Sequence, residues 1–113
     1  MASEDRLELV RGMYRAFAAG DREFVEAAFS DDLVFSSPLD VGLDREGYFQ
    51  RCWPGAGGGQ TFRFVRMVEL GDEVFVTYEQ TQPDGRRGRN TEILTFRGEK
   101  IRAVEVYFGW NLE

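Results

Sequence analysis

Apolar positions recur at helical spacing in the first half of the chain and at alternate positions in the second. Over residues 4–19, Leu7, Val10, Tyr14 and Phe17 fall three or four apart, and Met13 widens the stripe. That period predicts an amphipathic helix. Gly20 supplies its stop and Asp21 caps a second helix over 22–29, which buries Phe24, Val25, Ala28 and Phe29. Asp31-Asp32 open a short strand from Leu33 to Ser37, ended by Pro38, which cannot donate to a ladder. A third helix starts after the N-cap Asp44, with Leu43 and Tyr48 spaced as a hydrophobic staple, and closes at Pro54.

Beyond the glycine-rich stretch 54–59 the pattern changes to strands: Thr61–Leu70, Glu73–Gln82, Arg89–Arg97 and Ile101–Trp110. The turns Gly71-Asp72, Pro83–Arg87 and Gly98–Lys100 are short, so neighbouring strands run antiparallel. The glycine stretch is a loop. It lacks the Lys-Ser/Thr of a nucleotide-phosphate cradle and the preceding strand of a dinucleotide fingerprint. With no repeat and no linker, residues 1–113 are expected to form one α+β domain: three helices in the N-terminal half and an antiparallel sheet folded around an apolar pocket.

Counting back from the turns gives a register. Leu70 faces Glu73, Val68 faces Phe75 and Phe64 faces Glu79; Arg97 faces Ile101 and Glu92 faces Val106. The Asp84 hairpin leaves Glu79 either opposite Glu92 or diagonal to it. One self-consistent face then holds Phe62, Phe64, Arg66, Val68, Phe75, Thr77, Glu79, Glu92, Leu94, Phe96, Val104, Val106, Phe108 and Trp110. This face is taken as concave. The other set, including Val65, Met67, Val74, Val76, Tyr78 and Tyr107, is also apolar and is expected to pair two copies as a homodimer.

Composition narrows the chemistry. Aromatic residues reach 14%, which suits a filled interior or an aromatic-lined cavity. The net charge of −6 disfavours nucleic acid, whose phosphates need a basic face, and the cluster Arg86-Arg87-x-Arg89 reads as a solvated turn. No apolar run is long enough to span a bilayer. The start, Met1-Ala2-Ser3-Glu4-Asp5, is acidic and lacks the apolar core of a secretory signal. A single cysteine, Cys52, cannot form an internal disulfide, so the cytoplasm is the expected compartment. The absence of histidine removes Ser-His-Asp chemistry, His-ligated zinc and the usual neutral-pH proton shuttle. Any general acid or base is then a carboxylate or a tyrosine, and neither a metal nor another cofactor is expected.

Several strings resemble one superfamily. Tyr14–Asp21, then Phe29–Phe35, and the ending Lys100–Phe108 are similar to the nuclear transport factor two-like superfamily. SnoaL-like polyketide cyclases, ketosteroid isomerases and limonene epoxide hydrolases share its cone fold. The resemblance implies a cone-shaped, strongly bent antiparallel sheet wrapped on three N-terminal-half helices. It implies a dimer and a hydrophobic small molecule as ligand, and it covers enzymes and non-enzymes alike. Similarity to ketosteroid isomerase places that enzyme's catalytic tyrosine on Met13, its proton-shuttling aspartate on Ser37 before Pro38, and its second acid on Glu92. Of the three, Glu92 alone is acidic, so that mechanism does not carry over. The cyclase-type acid falls on Val106 or Gly109, and Glu105 has outward parity.

Glu92, Glu79 and Arg66 are the candidate catalytic groups. Two readings stand. The carboxyls share a proton in a desolvated hollow and act as acid and base, with Arg66 stabilising charge; or the three form a structural ion-pair network. Met13, Phe17, Phe35, Ser37, Tyr48, Phe49, Trp53, Phe64, Val106, Phe108 and Trp110 are the candidate cavity lining. The first reading suits an isomerase, cyclase or lyase acting on a hydrophobic carbonyl compound; the second suits a non-catalytic dimeric binding module.

Overall fold

The computed structural model describes residues 3–112; Met1 and Ala2 of the acidic start, and Glu113, lie outside the described residues. Helix α1 (Ser3–Ala19) buries Val10, Met13 and Tyr14 of the expected stripe, together with Ala16, while Leu7 and Phe17 are half-buried. It ends where Gly20 takes φ +77°, a left-handed conformation that glycine enters without a Cβ clash. The Asp21 side chain accepts from the Phe24 amide at 3.3 Å and starts α2 (Arg22–Ala28). Asp44 likewise accepts from the Gly47 amide at 2.7 Å and starts α3 (Arg45–Arg51), which is followed by a single 3-10 turn, Trp53–Gly55.

Strand β1 spans Phe29–Ser36, beginning earlier than its sequence suggests because Phe29 is already extended at the end of α2. The remaining strands are β2 (Thr61–Leu70), β3 (Glu73–Thr81), β4 (Arg87–Arg97) and β5 (Lys100–Leu112). Their order is β1-β5-β4-β3-β2. The four C-terminal strands are antiparallel as expected, whereas β1 adds to β5 in parallel and makes the sheet mixed. The sheet is strongly curved and does not close. Register shifts at Val65, at Arg102 and opposite Arg89 each place an extra residue on one strand, and bulges of this kind add bend and twist.

Two of these features reverse part of the expected register. The β3–β4 loop holds five residues, 82–86, so Thr81 pairs Arg87, Glu79 pairs Arg89 and Val76 pairs Glu92. An odd loop where an even one is assumed moves every β3 side chain to the other face. Val74, Val76 and Tyr78 are therefore concave and buried, not part of an outer interface, while Phe75, Thr77 and Glu79 are convex. The bulge at Val65 sets Phe64 opposite Tyr78, so Phe62, Phe64 and Met67 pack on the core and Arg66 and Val68 face outward. Arg97 pairs Lys100 instead of Ile101, and the extra residue at Arg102 restores the expected pairs Leu94–Val104 and Glu92–Val106.

Near the end of β5 the backbone makes a close approach. A Cβ on Gly109 would sit 2.1 Å from the Arg89 carbonyl oxygen, so no other residue fits without moving a strand. Gly109→Ala is expected to destabilise the fold by roughly 1–3 kcal/mol, the usual cost of overpacking. Urea unfolding measures it; an unchanged midpoint would show that the two strands can separate there freely.

Candidate functional site

The concave side of the sheet holds one acidic group at its centre. Glu92 lies between Val76 and Val106 in the register, so the backbone places its carboxylate among aliphatic neighbours. Tyr78 donates its hydroxyl to Glu92 Oε2 at 2.6 Å, a short, charge-assisted bond. Asn90 Nδ2 donates to the Tyr78 hydroxyl at 3.4 Å, and Asn90 Oδ1 accepts from the Gly109 amide at 3.2 Å. The Gly109 bulge thus fixes the amide that steadies Tyr78.

Helix α1 supplies the opposite wall. The Tyr14 ring lies 5.0 Å from that of Tyr78 and meets Phe62 and Phe64 edge-on at 5.2 and 5.5 Å. Its hydroxyl is buried and has no hydrogen-bond partner of normal geometry, yet it stands close enough to Glu92 for each to perturb the other. Helix α3 contributes Tyr48, and Cys52 follows it; both also feel the Glu92 charge.

Burial raises the Glu92 carboxyl above its ordinary pKa, and the Tyr78 and Tyr14 hydroxyls pull it partly back down. Among the described residues no lysine or arginine acts on it. Burial comes first for the tyrosines too, and the Glu92 charge then pushes Tyr14, Tyr78 and Tyr48 further up. All three therefore keep their protons, and Tyr78 donates its own to Glu92. The cluster is a desolvated carboxylate ringed by phenols, an arrangement able to move a proton or to anchor a polar group.

The three candidate catalytic residues do not meet. Glu79 lies on the convex face, bonded to Arg89 and within 3.3 and 3.7 Å of Arg63 and Arg87. The Arg89 hydrogen bond, with the charges of Arg89, Arg63 and Arg87, holds its carboxyl below the usual range. Arg66 is exposed on that same convex face and enters none of the ion pairs among the described residues. Glu92 thus has neither the acidic partner nor the arginine that sequence parity assigns to it. Its phenolic partners, Tyr14 and Tyr78, were missed. The one available signal was the alternate set Val74-Val76-Tyr78, more uniformly apolar than Phe75-Thr77-Glu79.

The expected lining divides. Met13, Tyr48 and Phe49 are buried; Phe17 packs on Trp53 at 5.7 Å, Phe49 on Trp53 at 5.8 Å and Phe35 on Tyr48 at 5.1 Å. Phe64 and Val106 pack against the core. Ser37 spends its hydroxyl accepting from the Leu39 and Asp40 amides in a turn. Phe108 pairs Asn90 on the concave side and is 52% exposed. Trp110 lies across the bulge, exposed, with Arg89 stacked 5.5 Å from its ring on the other face. A mostly apolar cavity of about 420 Å³ between α1 and the start of β2 is lined by Tyr14, Ala18, Gln60, Phe62 and Phe64 among others. Tyr14 borders both this cavity and Glu92.

With that geometry in view, the comparisons are specific about family and silent about reaction. The profile of the SnoaL-like domain matches residues 10–104, and the chain belongs to that family. No functionally curated protein matches its sequence. Among solved structures, a candidate ketosteroid isomerase from Kribbella flavida superposes with a TM-score of 0.80 at 18% identity, covering 97% of this chain and 82% of the other. An epoxide hydrolase of the LEH-like kind from Mycobacterium tuberculosis gives 0.74 at 18%, covering 94% and 84%. AclR, a candidate hydroxylase from Streptomyces galilaeus, gives 0.77 at 16%, covering 96% and 91%. Identities this low establish the shared fold alone. Among the described residues no helix is long and apolar enough to cross a membrane.

An acid whose folded pKa is raised costs stability once ionised. As pH climbs past the unfolded value, near 4.3 for glutamate, the unfolded chain releases its proton first and stability falls until the folded group has also titrated. Glu92→Gln is therefore expected to match the wild type in acid and to exceed it by on the order of 1 kcal/mol at neutral pH. Denaturant unfolding across pH tests this. A variant weaker than wild type at neutral pH would mean that the Glu92 charge is compensated after all.

Proposed function

We propose that the chain binds a hydrophobic carbonyl compound in the hollow beside Glu92 and acts on it as an isomerase, cyclase or lyase, with Glu92 as the acid/base. One observation carries the reading: a half-buried carboxylate with its pKa raised by desolvation, hydrogen-bonded to a tyrosine, on which no lysine or arginine among the described residues acts. A carboxylate so placed is a stronger base than one in water, since desolvation brings its pKa toward neutrality. Tyr14 supports the reading with a buried hydroxyl that stands close to Glu92 and could turn to donate to a developing enolate oxygen. Glu79 and Arg66 have no part in this version of the site. The half-exposed Phe108 marks the way in, and the aromatic wall suits an apolar substrate body.

Proton exchange next to a ketone is the simplest form of this chemistry. In heavy water the protein is expected to speed deuterium uptake α to the carbonyl of benzylacetone, followed by proton NMR. Glu92→Gln should lower the rate about 10²–10⁴-fold, while Tyr78→Phe alters its pH dependence. A Glu92→Gln variant that is folded and equally fast would remove the acid/base role.

The convex face favours a homodimer as the working unit. Val68, Phe75 and Ile93 are adjacent across three strands; Val68 is 53% exposed, and Phe75 and Ile93 are half-buried beside it. Sedimentation should report twice the chain mass, and Ile93→Glu should return the monomer. A wild-type protein that sediments as a monomer at high concentration excludes this pairing.

A further inference from the structure

The convex face carries its charges in a fixed pattern across the strands. One row holds Arg63, Glu79 and Arg89, and there Glu79 pairs with both guanidinium groups. The next row is Arg66, Thr77, Thr91 and Tyr107, with the two threonine hydroxyls bonded to each other at 2.8 Å. Beside it run Val68, Phe75, Ile93 and Glu105. Arg66 and Glu105 are both exposed, and neither enters an ion pair among the described residues. Glu105 does accept from the Tyr107 hydroxyl of its own chain at 3.2 Å. Arg66 stands on β2 and Glu105 on β5, three strand spacings or roughly 14 Å apart, with the apolar side chains between them.

A two-fold axis makes a surface meet itself, so each group must suit the group that symmetry lays over it. Two axes in the plane of the interface are natural for this face. An axis across the strands, along the apolar row, would lay every strand on its own copy and set Glu105 against the partner's Glu105. Like charges in direct contact oppose association. An axis along the strands, between β3 and β4, lays β2 on the partner's β5 and β3 on the partner's β4. Phe75 then meets the partner's Ile93, and Arg66 comes beside the partner's Tyr107 and the partner's Glu105. Because both sheets bow outward, they touch at the middle and part toward the sides. Long charged side chains at β2 and β5 can span that gap, while short apolar ones fill the centre.

We infer that two copies associate about an axis running along the strands, with Arg66 of each copy paired to Glu105 of the other. This rests on the convex homodimer proposed above and adds its symmetry and its ion pairs.

Charge reversal in the full-length protein, read by sedimentation equilibrium, tests it. Both positions are exposed, so the variants keep the fold of the single chain, which thermal unfolding verifies. Arg66→Glu and Glu105→Arg alone should each raise the dimer Kd at least about tenfold, since every dimer holds the pair twice. The two reversals together should return it to within about threefold of the wild type. Single variants as tight as the wild type, a double variant as weak as the single ones, or rescue of Arg66→Glu by Glu73→Arg instead, each overturns the inference while the dimer stands. A monomeric wild type removes the dimer, and the inference with it.

Discussion

The bond from Tyr78 to Glu92 is what makes the concave side of this sheet more than a hydrophobic core. A carboxylate between two valines pays a desolvation cost that one phenolic hydrogen bond only partly offsets. A stability-driven interior would replace it with an apolar residue or pair it with an arginine. Neither happens, though Arg87 and Arg89 stand on the same strand, five and three residues away. Strand alternation keeps them on the other face. The sheet separates charge: Glu79 is surrounded by guanidinium groups on the convex side, and Glu92 is left with phenols on the concave side.

The same alternation explains what could be read from the chain and what could not. Helix boundaries followed from caps and stripes, since Asp21, Asp44 and Gly20 act locally and sit where their chemistry is needed. The concavity of β4 and β5 followed from their own patterns: Glu92, Leu94 and Phe96 share a face with Val104 and Val106 as counted. The face of β3 did not follow, because it depends on the loop that joins it to β4. Gln82–Arg86 is five residues long, and the sequence alone leaves its first and last pairs undefined. One residue there decides whether Glu79 or Tyr78 looks at Glu92. The parallel addition of β1 to β5 is likewise a tertiary fact, with no turn in the sequence to announce it.

Tyr14 shows the limit from another side. Family resemblance directs attention to Met13, one residue away, as the place of a catalytic tyrosine. One residue on a helix is a rotation of about 100°, enough to point a side chain at a different neighbour. Both residues are buried on the face of α1 that meets the sheet, so both belong to the stripe that periodicity identifies. Periodicity alone cannot say which of two adjacent buried residues reaches the polar centre. Packing decides it here: Phe62 and Phe64 hold the Tyr14 ring edge-on and send its hydroxyl toward Tyr78 and Glu92.

Those two phenylalanines reach the concave face because of the bulge at Val65. Without the extra residue, β2 would present either Phe62 and Phe64 or Met67 to the core, not both. The bulge therefore lets one strand pack aromatic rings against Tyr14 of α1 and still turn the Met67 side chain to the core. At the other end of the site, Gly109 lets β5 approach Arg89 closely enough for its amide to reach Asn90, which in turn steadies Tyr78. The two irregularities hold the phenols on either side of the acid, Tyr14 through β2 and Tyr78 through β5. Regular strands could supply the residues of this cluster but not their convergence, so the bends that shape the cone also set the environment of Glu92.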